Sequence, residues 1–111
     1  MLREKLSDCE EQVLLTVYGV QETSSTRELC DMVNEKFHHE WTQQTVSTFI
    51  ARLIKKGYLT RDKKGRYCIY KAAVPLEEYR RMKLLELVER IFDGSGETLR
   101  EYVCHMGNEQ S

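Results

Sequence analysis

The chain has 111 residues, with 17 Lys or Arg against 18 Asp or Glu and a formal charge of −1. That length suits one compact domain with at most a small appendage, and 41% hydrophobic with 32% charged residues fits a soluble globular protein. No run approaches the roughly 18 apolar residues of a membrane span, and "MLREKLSDCE" lacks the apolar stretch of a signal peptide, so a cytoplasmic location is expected.

The first helix is expected to start at Ser7, because Ser7 and Glu10 have the S-x-x-E spacing of a capping box. Val13, Leu14, Val17 and Tyr18 then recur at helical spacing and mark a buried face, with Gly19 as the stop. The polar "QETSS" that follows leaves room for a very short strand. Ser25 and Glu28 repeat the capping box for a second helix, whose apolar stripe is Leu29, Met32, Val33 and Phe37. "HHEW" is a loop without Gly or Pro. Thr42 caps a third helix, and Trp41 before the cap has the spacing to staple onto Val46. Val46, Phe49, Ile50, Leu53 and Ile54 face inward, and Gly57 ends the helix after two lysines.

Tyr58–Arg61 and Tyr67–Lys71 read as two strands, with Leu59, Tyr67 and Ile69 giving period two. The expected connection is a four-residue loop, "DKKG", with a positive φ at Gly65. Pro75 suits the first turn of a fourth helix running to about Phe92. Its i,i+4 pairs are Glu77/Arg81 and Glu86/Arg90. Leu84, Leu85, Leu87, Val88, Ile91 and Phe92 form a band too wide for one face of a small domain. "DGSG" breaks the chain. A fifth helix near Glu97–His105 places Leu99, Tyr102, Val103 and Met106 on one side, and "GNEQS" reads as a frayed end.

The charge is unevenly placed. Residues 42–71 carry eight Lys or Arg and a single acid, Asp62, so this stretch holds +7 and the remainder −8. Three helices followed by a hairpin with a basic tip is the plan of a winged helix-turn-helix. The expected fold is mostly α with a small β-hairpin: a winged domain over residues 1–73 and C-terminal dimerisation helices over 74–111. Cations gathered on one helix and one loop fix which face meets a polyanion, and duplex DNA is the expected partner. Gln43, Gln44, Thr45, Ser47, Thr48 and Arg52 give the third helix a polar exposed face with the donors, acceptors and methyls that read base edges. Lys63, Lys64 and Arg66 form the wing tip, with Arg61 and Lys71 near the strand ends as further phosphate contacts.

Cys9, Cys30, Cys68 and Cys104 lie too far apart for a CxxC or zinc-finger spacing. They read as reduced cysteines, with a redox or soft-metal sensor as the alternative. His38 and His39 are adjacent and point apart on a regular element, so they read as surface histidines. No cofactor and no metal is expected. The chain has no GxSxG, no phosphate loop and no HExxH, so it is not expected to be an enzyme. A winged-helix protein-interaction module without DNA binding is the competing reading.

"LSDCEEQVLLTVY", "TQQTVSTFIARLIKKGYL" and "LVERIFDGSGETLREYV" resemble the penicillinase-repressor family of beta-lactamase, methicillin-resistance and copper-responsive repressors. The motif T-[VI]-x-T-x-[IL]-x-R-L-x-K-K-G stands here as Thr45 to Gly57, and "FDGS" as residues 92–95. The resemblance spans roughly residues 5–103. It implies a dimeric bacterial repressor of transcription on an operator, released by a sensor protease or other inducing system. It also implies base contacts from Gln44, Thr45, Ser47, Thr48 and Arg52, wing contacts from Lys63, Lys64 and Arg66, and dimerisation through the C-terminal helices. On those helices Leu84, Leu85, Leu87, Val88, Ile91, Phe92, Leu99, Tyr102 and Val103 are the expected seam. Tyr102-Val103 stands where the resistance repressors carry the cleaved Asn-Phe pair. The C-terminal CxC pairs of the copper-responsive branch are missing.

Overall fold

The structure, a computed structural model, describes residues 4–20, 22–23 and 25–109. The chain divides into two compact units, Met1–Pro75 and Leu76–Ser111.

In the first unit, α1 (Asp8–Val20), α2 (Thr26–Phe37) and α3 (Gln43–Lys55) pack around one core. The helices start where the caps demand. Ser7 Oγ accepts from the Glu10 amide at 3.2 Å while Glu10 Oε1 accepts from the Ser7 amide at 3.0 Å, the reciprocal pairing of a capping box. Ser25 Oγ accepts from the Glu28 amide. The core is Val13, Leu14 and Val17 of α1, Leu29, Cys30 and Val33 of α2, and Val46, Ile50 and Leu53 of α3. Tyr58, Leu59, Tyr70 and Val74 close it from below. Met32, Phe37, Phe49 and Ile54 lie at its half-buried margin.

A three-stranded antiparallel sheet of order β1-β3-β2 is formed by β1 (Glu22–Thr23), β2 (Leu59–Lys64) and β3 (Tyr67–Ala72). The short strand expected within "QETSS" is present, whereas Gln21 and Ser24 lie outside the described residues.

Several expectations need correction. Helix α1 runs through Gly19 to Val20, because a single glycine weakens a helix by only about 1 kcal/mol and need not end it. The first hairpin strand starts at Leu59, since Tyr58 belongs to the turn that closes α3. It runs on to Lys64, so the connection is not the four-residue "DKKG" but the two-residue Gly65-Arg66 turn. Gly65 has φ 63°, as the first position of a type II′ turn requires. The charged residues Asp62, Lys63 and Lys64 concealed the strand, because ladder hydrogen bonds need no apolar side chains. The buried residue of β3 is Tyr70, not Tyr67 or Ile69: Tyr67 is 66% exposed and Tyr70 only 5%.

The second unit holds α4 (Leu76–Ile91) and α5 (Gly96–Glu109). Pro75 stands one residue before α4 rather than within its first turn. Glu86 pairs with Arg90 as expected, at 3.3 Å, but Glu77 meets Arg80 at 2.7 Å and not Arg81. The chain turns through Asp93 and Gly94, both at positive φ, and the Gly94 amide reaches back to the Val88 carbonyl. Ser95 then caps α5 by accepting from the Thr98 amide. Phe92 meets Tyr102 edge-on, with centroids 5.5 Å apart. Helix α5 continues past His105 to Glu109, and the last part of the expected frayed end, Gln110 and Ser111, lies outside the described residues. Tyr79 is the one buried residue of α4. No helix among the described residues is long and apolar enough to cross a membrane.

Candidate nucleic-acid interface

Both ends of α3 are fixed. At its start Thr42 Oγ1 accepts from the Thr45 amide at 3.2 Å. At its end the Gly57 amide bonds the Ile54 carbonyl and the Tyr58 amide bonds the Leu53 carbonyl, a Schellman closure with Gly57 at φ 86°. Between these ends Val46, Ile50 and Leu53 are buried, so the opposite side of the helix must face outward. Gln43, Gln44, Ser47, Thr48 and Arg52 are exposed there, and Thr45 is half-buried beside the cap. Thr48 Oγ1 donates to the Gln44 carbonyl, which leaves its lone pairs and methyl toward solvent. Gln44, Ser47, Thr48, Ala51 and Lys55 follow at i, i+3, i+4, i+7 and i+11 and form one continuous exposed stripe. Ala51 and Lys55 were not singled out from sequence. The signal was available in the same spacing, and Ala51 adds an exposed methyl to the stripe.

The turn that carries the chain into α3 is held by a side chain that sequence reasoning missed. Asn34, in the last turn of α2, donates from Nδ2 to the Trp41 carbonyl at 2.9 Å. Its Oδ1 accepts from the Trp41 amide at 3.0 Å. One amide side chain thus satisfies both backbone groups of Trp41. The Cys30 thiol adds a hydrogen bond to the same carbonyl at 3.2 Å. Burial, with help from the Asp31 charge, pushes that thiol's pKa up although Asn34 hydrogen-bonds it, so it stays protonated and serves as a donor. The Trp41 ring stacks on His39 at 3.9 Å and tilts against Phe49 of α3 at 5.1 Å. His39 Nε2 meets Gln12 Oε1 of α1 at 2.6 Å, so His39 has a structural task within the helical unit. His38 takes the left-handed conformation, φ 60°, that closes α2.

The basic residues do not all serve one purpose. Lys56 Nζ lies 2.7 Å from Glu10 Oε1 and 3.0 Å from the Lys5 carbonyl, an ion pair that fastens the end of α3 to α1. Glu10 is 2% exposed. Burial raises its pKa, but hydrogen bonds from Lys56 and Ser7 and the charges of Lys56 and Arg52 outweigh this, so the carboxyl titrates below its ordinary value. Lys56 therefore belongs to the framework. Arg61, Asp62, Lys63, Lys64 and Arg66 are all exposed on the hairpin, whereas Lys71 is half-buried. Among the described residues no group of three or more His, Cys, Asp or Glu could hold a metal ion.

A helical unit with a clamped turn, an exposed polar third helix and a projecting basic hairpin is a winged helix-turn-helix. Its sequence matches the Penicillinase repressor family over residues 6–108. The chain belongs to that family. It is 26% identical to the penicillinase repressor of Bacillus licheniformis over 91 residues, covering 82% of this chain and 69% of that protein. It is 29% identical over 107 residues to an uncharacterised 16.5 kDa protein of Latilactobacillus sakei, covering 96% of this chain. The match spans 63% of the length of that relative. Among solved structures, the monomeric form of B. licheniformis BlaI in complex with the blaP half-operator superposes with a TM-score of 0.57 and 27% identity. That superposition covers 70% of this chain and 92% of the BlaI chain. Membership of a repressor family agrees with the expectation that the chain is not an enzyme.

Proposed function

We propose that the protein is a sequence-specific DNA-binding repressor of transcription that acts as a dimer on an inverted-repeat operator. The observation that carries this reading is the exposed polar stripe of α3 beside a basic hairpin, in a chain whose charge is otherwise acidic. Gln43, Gln44, Thr45, Ser47, Thr48 and Arg52 read the major groove, and cations of the wing meet phosphates. The winged region of residues 1–73 binds DNA, and the helices of 74–111 join two copies. Leu84, Leu85, Leu87, Ile91, Tyr102 and Val103 are exposed in the single chain, and Val88, Phe92 and Leu99 are half-buried among them. Pairing about a two-fold axis removes this surface from water and sets two recognition helices about 34–36 Å apart, one helical turn of DNA. DNA as the partner places the protein in the cytoplasm. A sensor protease or other inducing system is the further partner this reading calls for.

The test is selection of bound sequences from a random duplex pool. The expected product is an inverted repeat whose half-sites lie one helical turn apart. Gln44→Ala should relax the selected sequence and cost on the order of 1–3 kcal/mol in discrimination. A pool with no enrichment would favour the protein-interaction module instead.

A further inference from the structure

The wing presents two chemically different faces, because its lysines lie on a strand and not in a loop. Successive side chains of a strand point to opposite sides of the sheet, and directly paired residues share a side. Leu59, Arg61 and Lys63 therefore share one face with their partners Ala72, Tyr70 and Cys68. Thr60, Asp62 and Lys64 share the other with Lys71, Ile69 and Tyr67.

The packing tells which face is which. Leu59 is 2% exposed, and the Tyr70 hydroxyl lies 3.0 Å from the hydroxyl of Thr26 in the first turn of α2. The Leu59–Arg61–Lys63 face is thus the one turned toward the helices. Beyond Leu59 every residue of β2 is exposed, so Arg61 and Lys63 continue that face past the edge of the helical core. There it carries two cations and no acid. The opposite face carries Asp62, the only acid of the basic segment, beside Lys64, and its other cation, Lys71, is half-buried.

We infer that Arg61 and Lys63, on the helix-facing side of the hairpin, are phosphate contacts of the wing, and that Lys64 on the far side is not one. The inference rests on the DNA-binding reading. A duplex lying along the exposed side of α3 meets the wing on the side of the sheet where the helices lie. A lone carboxylate is tolerated in a phosphate-binding hairpin because it stands on the face that does not meet the phosphates.

The experiment is a salt titration of binding to a short mixed-sequence duplex by the full chain and four single variants. All four residues are exposed, and circular dichroism confirms that each variant is folded. Arg61→Ala and Lys63→Ala should each flatten the log–log salt slope by about 0.9, the value for one lost phosphate contact. Lys64→Ala and Asp62→Asn should leave the slope as it is in the parent. A Lys64→Ala slope as flat as that of Lys63→Ala overturns the inference. So does an Asp62→Asn variant that steepens the slope, or a set in which no variant changes it, and in those cases α3 still stands as the reader. A parent that binds no duplex at any salt overturns the DNA-binding reading and this inference together.

Discussion

The two units spend similar apolar sequence in opposite ways. In the first, Val13, Leu14, Val17, Leu29, Val33, Val46 and Leu53 are all completely buried, and each of three helices gives one face to the same core. In the second, Leu84, Leu85, Leu87, Ile91, Tyr102, Val103 and Met106 are each at least 41% exposed. Both sets recur at helical spacing, so period alone does not separate them. The difference is the number of partners. Three helices and a sheet can enclose a core, whereas a pair of helices leaves its outer apolar sides uncovered. The proposed dimer would remove this stripe from water.

The comparison is best tested by substituting one leucine in each unit. Leu53→Ala should destabilise the winged unit by about 2–5 kcal/mol, through lost transfer energy and a cavity, as read from urea unfolding. Leu87→Asp should leave the unfolding of that unit unchanged but convert dimers to monomers in sedimentation. Operator affinity should fall on the order of 10²-fold or more, because the second half-site is no longer tethered. A Leu87→Asp protein that remains dimeric would show that the exposed stripe is not the seam.

A smaller effect is expected at the turn into α3. Asn34→Ala strands the amide of Trp41 and leaves its carbonyl with the Cys30 thiol alone, and an unsatisfied buried group costs about 1–3 kcal/mol. Asn34→Asp keeps one acceptor and should recover part of the loss. If operator binding by Asn34→Ala matched the parent after correction for the unfolded fraction, the clamp would only stabilise and would not orient α3.

The smallest effect concerns pH. Glu10 is held below its ordinary value of 4.5 in the folded chain. A carboxyl depressed on folding contributes stability that is complete above its unfolded pKa and is lost as pH falls through the folded one. The Glu10–Lys56 pair should therefore support the first unit above pH about 4.5 and stop doing so in more acid solution. Glu10→Gln should be less stable than the parent at neutral pH, and the two should converge as pH falls. Parallel stability curves would show that another carboxyl governs the acid limb.

Much of this protein is legible in its sequence where the physics is local. The capping residues Ser7, Ser25 and Thr42 name the starts of three helices, because each needs only an amide three residues on. Gly57 and Gly65 mark backbone that turns through positive φ. The exposed polar stripe of α3 follows from the buried positions between its members. Local signals also misled. Asp62, Lys63 and Lys64 look like a loop by their charge, yet they pair in register with Ile69, Cys68 and Tyr67. Lys56 looks like one more basic residue for DNA, yet it is committed to Glu10, 46 residues away.

The number and order of the helices, the hairpin after the third, the separation of charge and the excess of apolar surface near the C-terminal end can all be read along the chain. These follow from side chains acting on their own backbone or from periodicity along one element. Four features emerge only in the folded chain: Asn34 holds Trp41, Tyr70 rather than Tyr67 closes the core, Glu10 binds Lys56, and the two wing lysines face opposite ways. Each depends on a partner from another element, or on the register of a strand in which a shift of one residue reverses every side chain. Periodicity along a single chain carries no record of either.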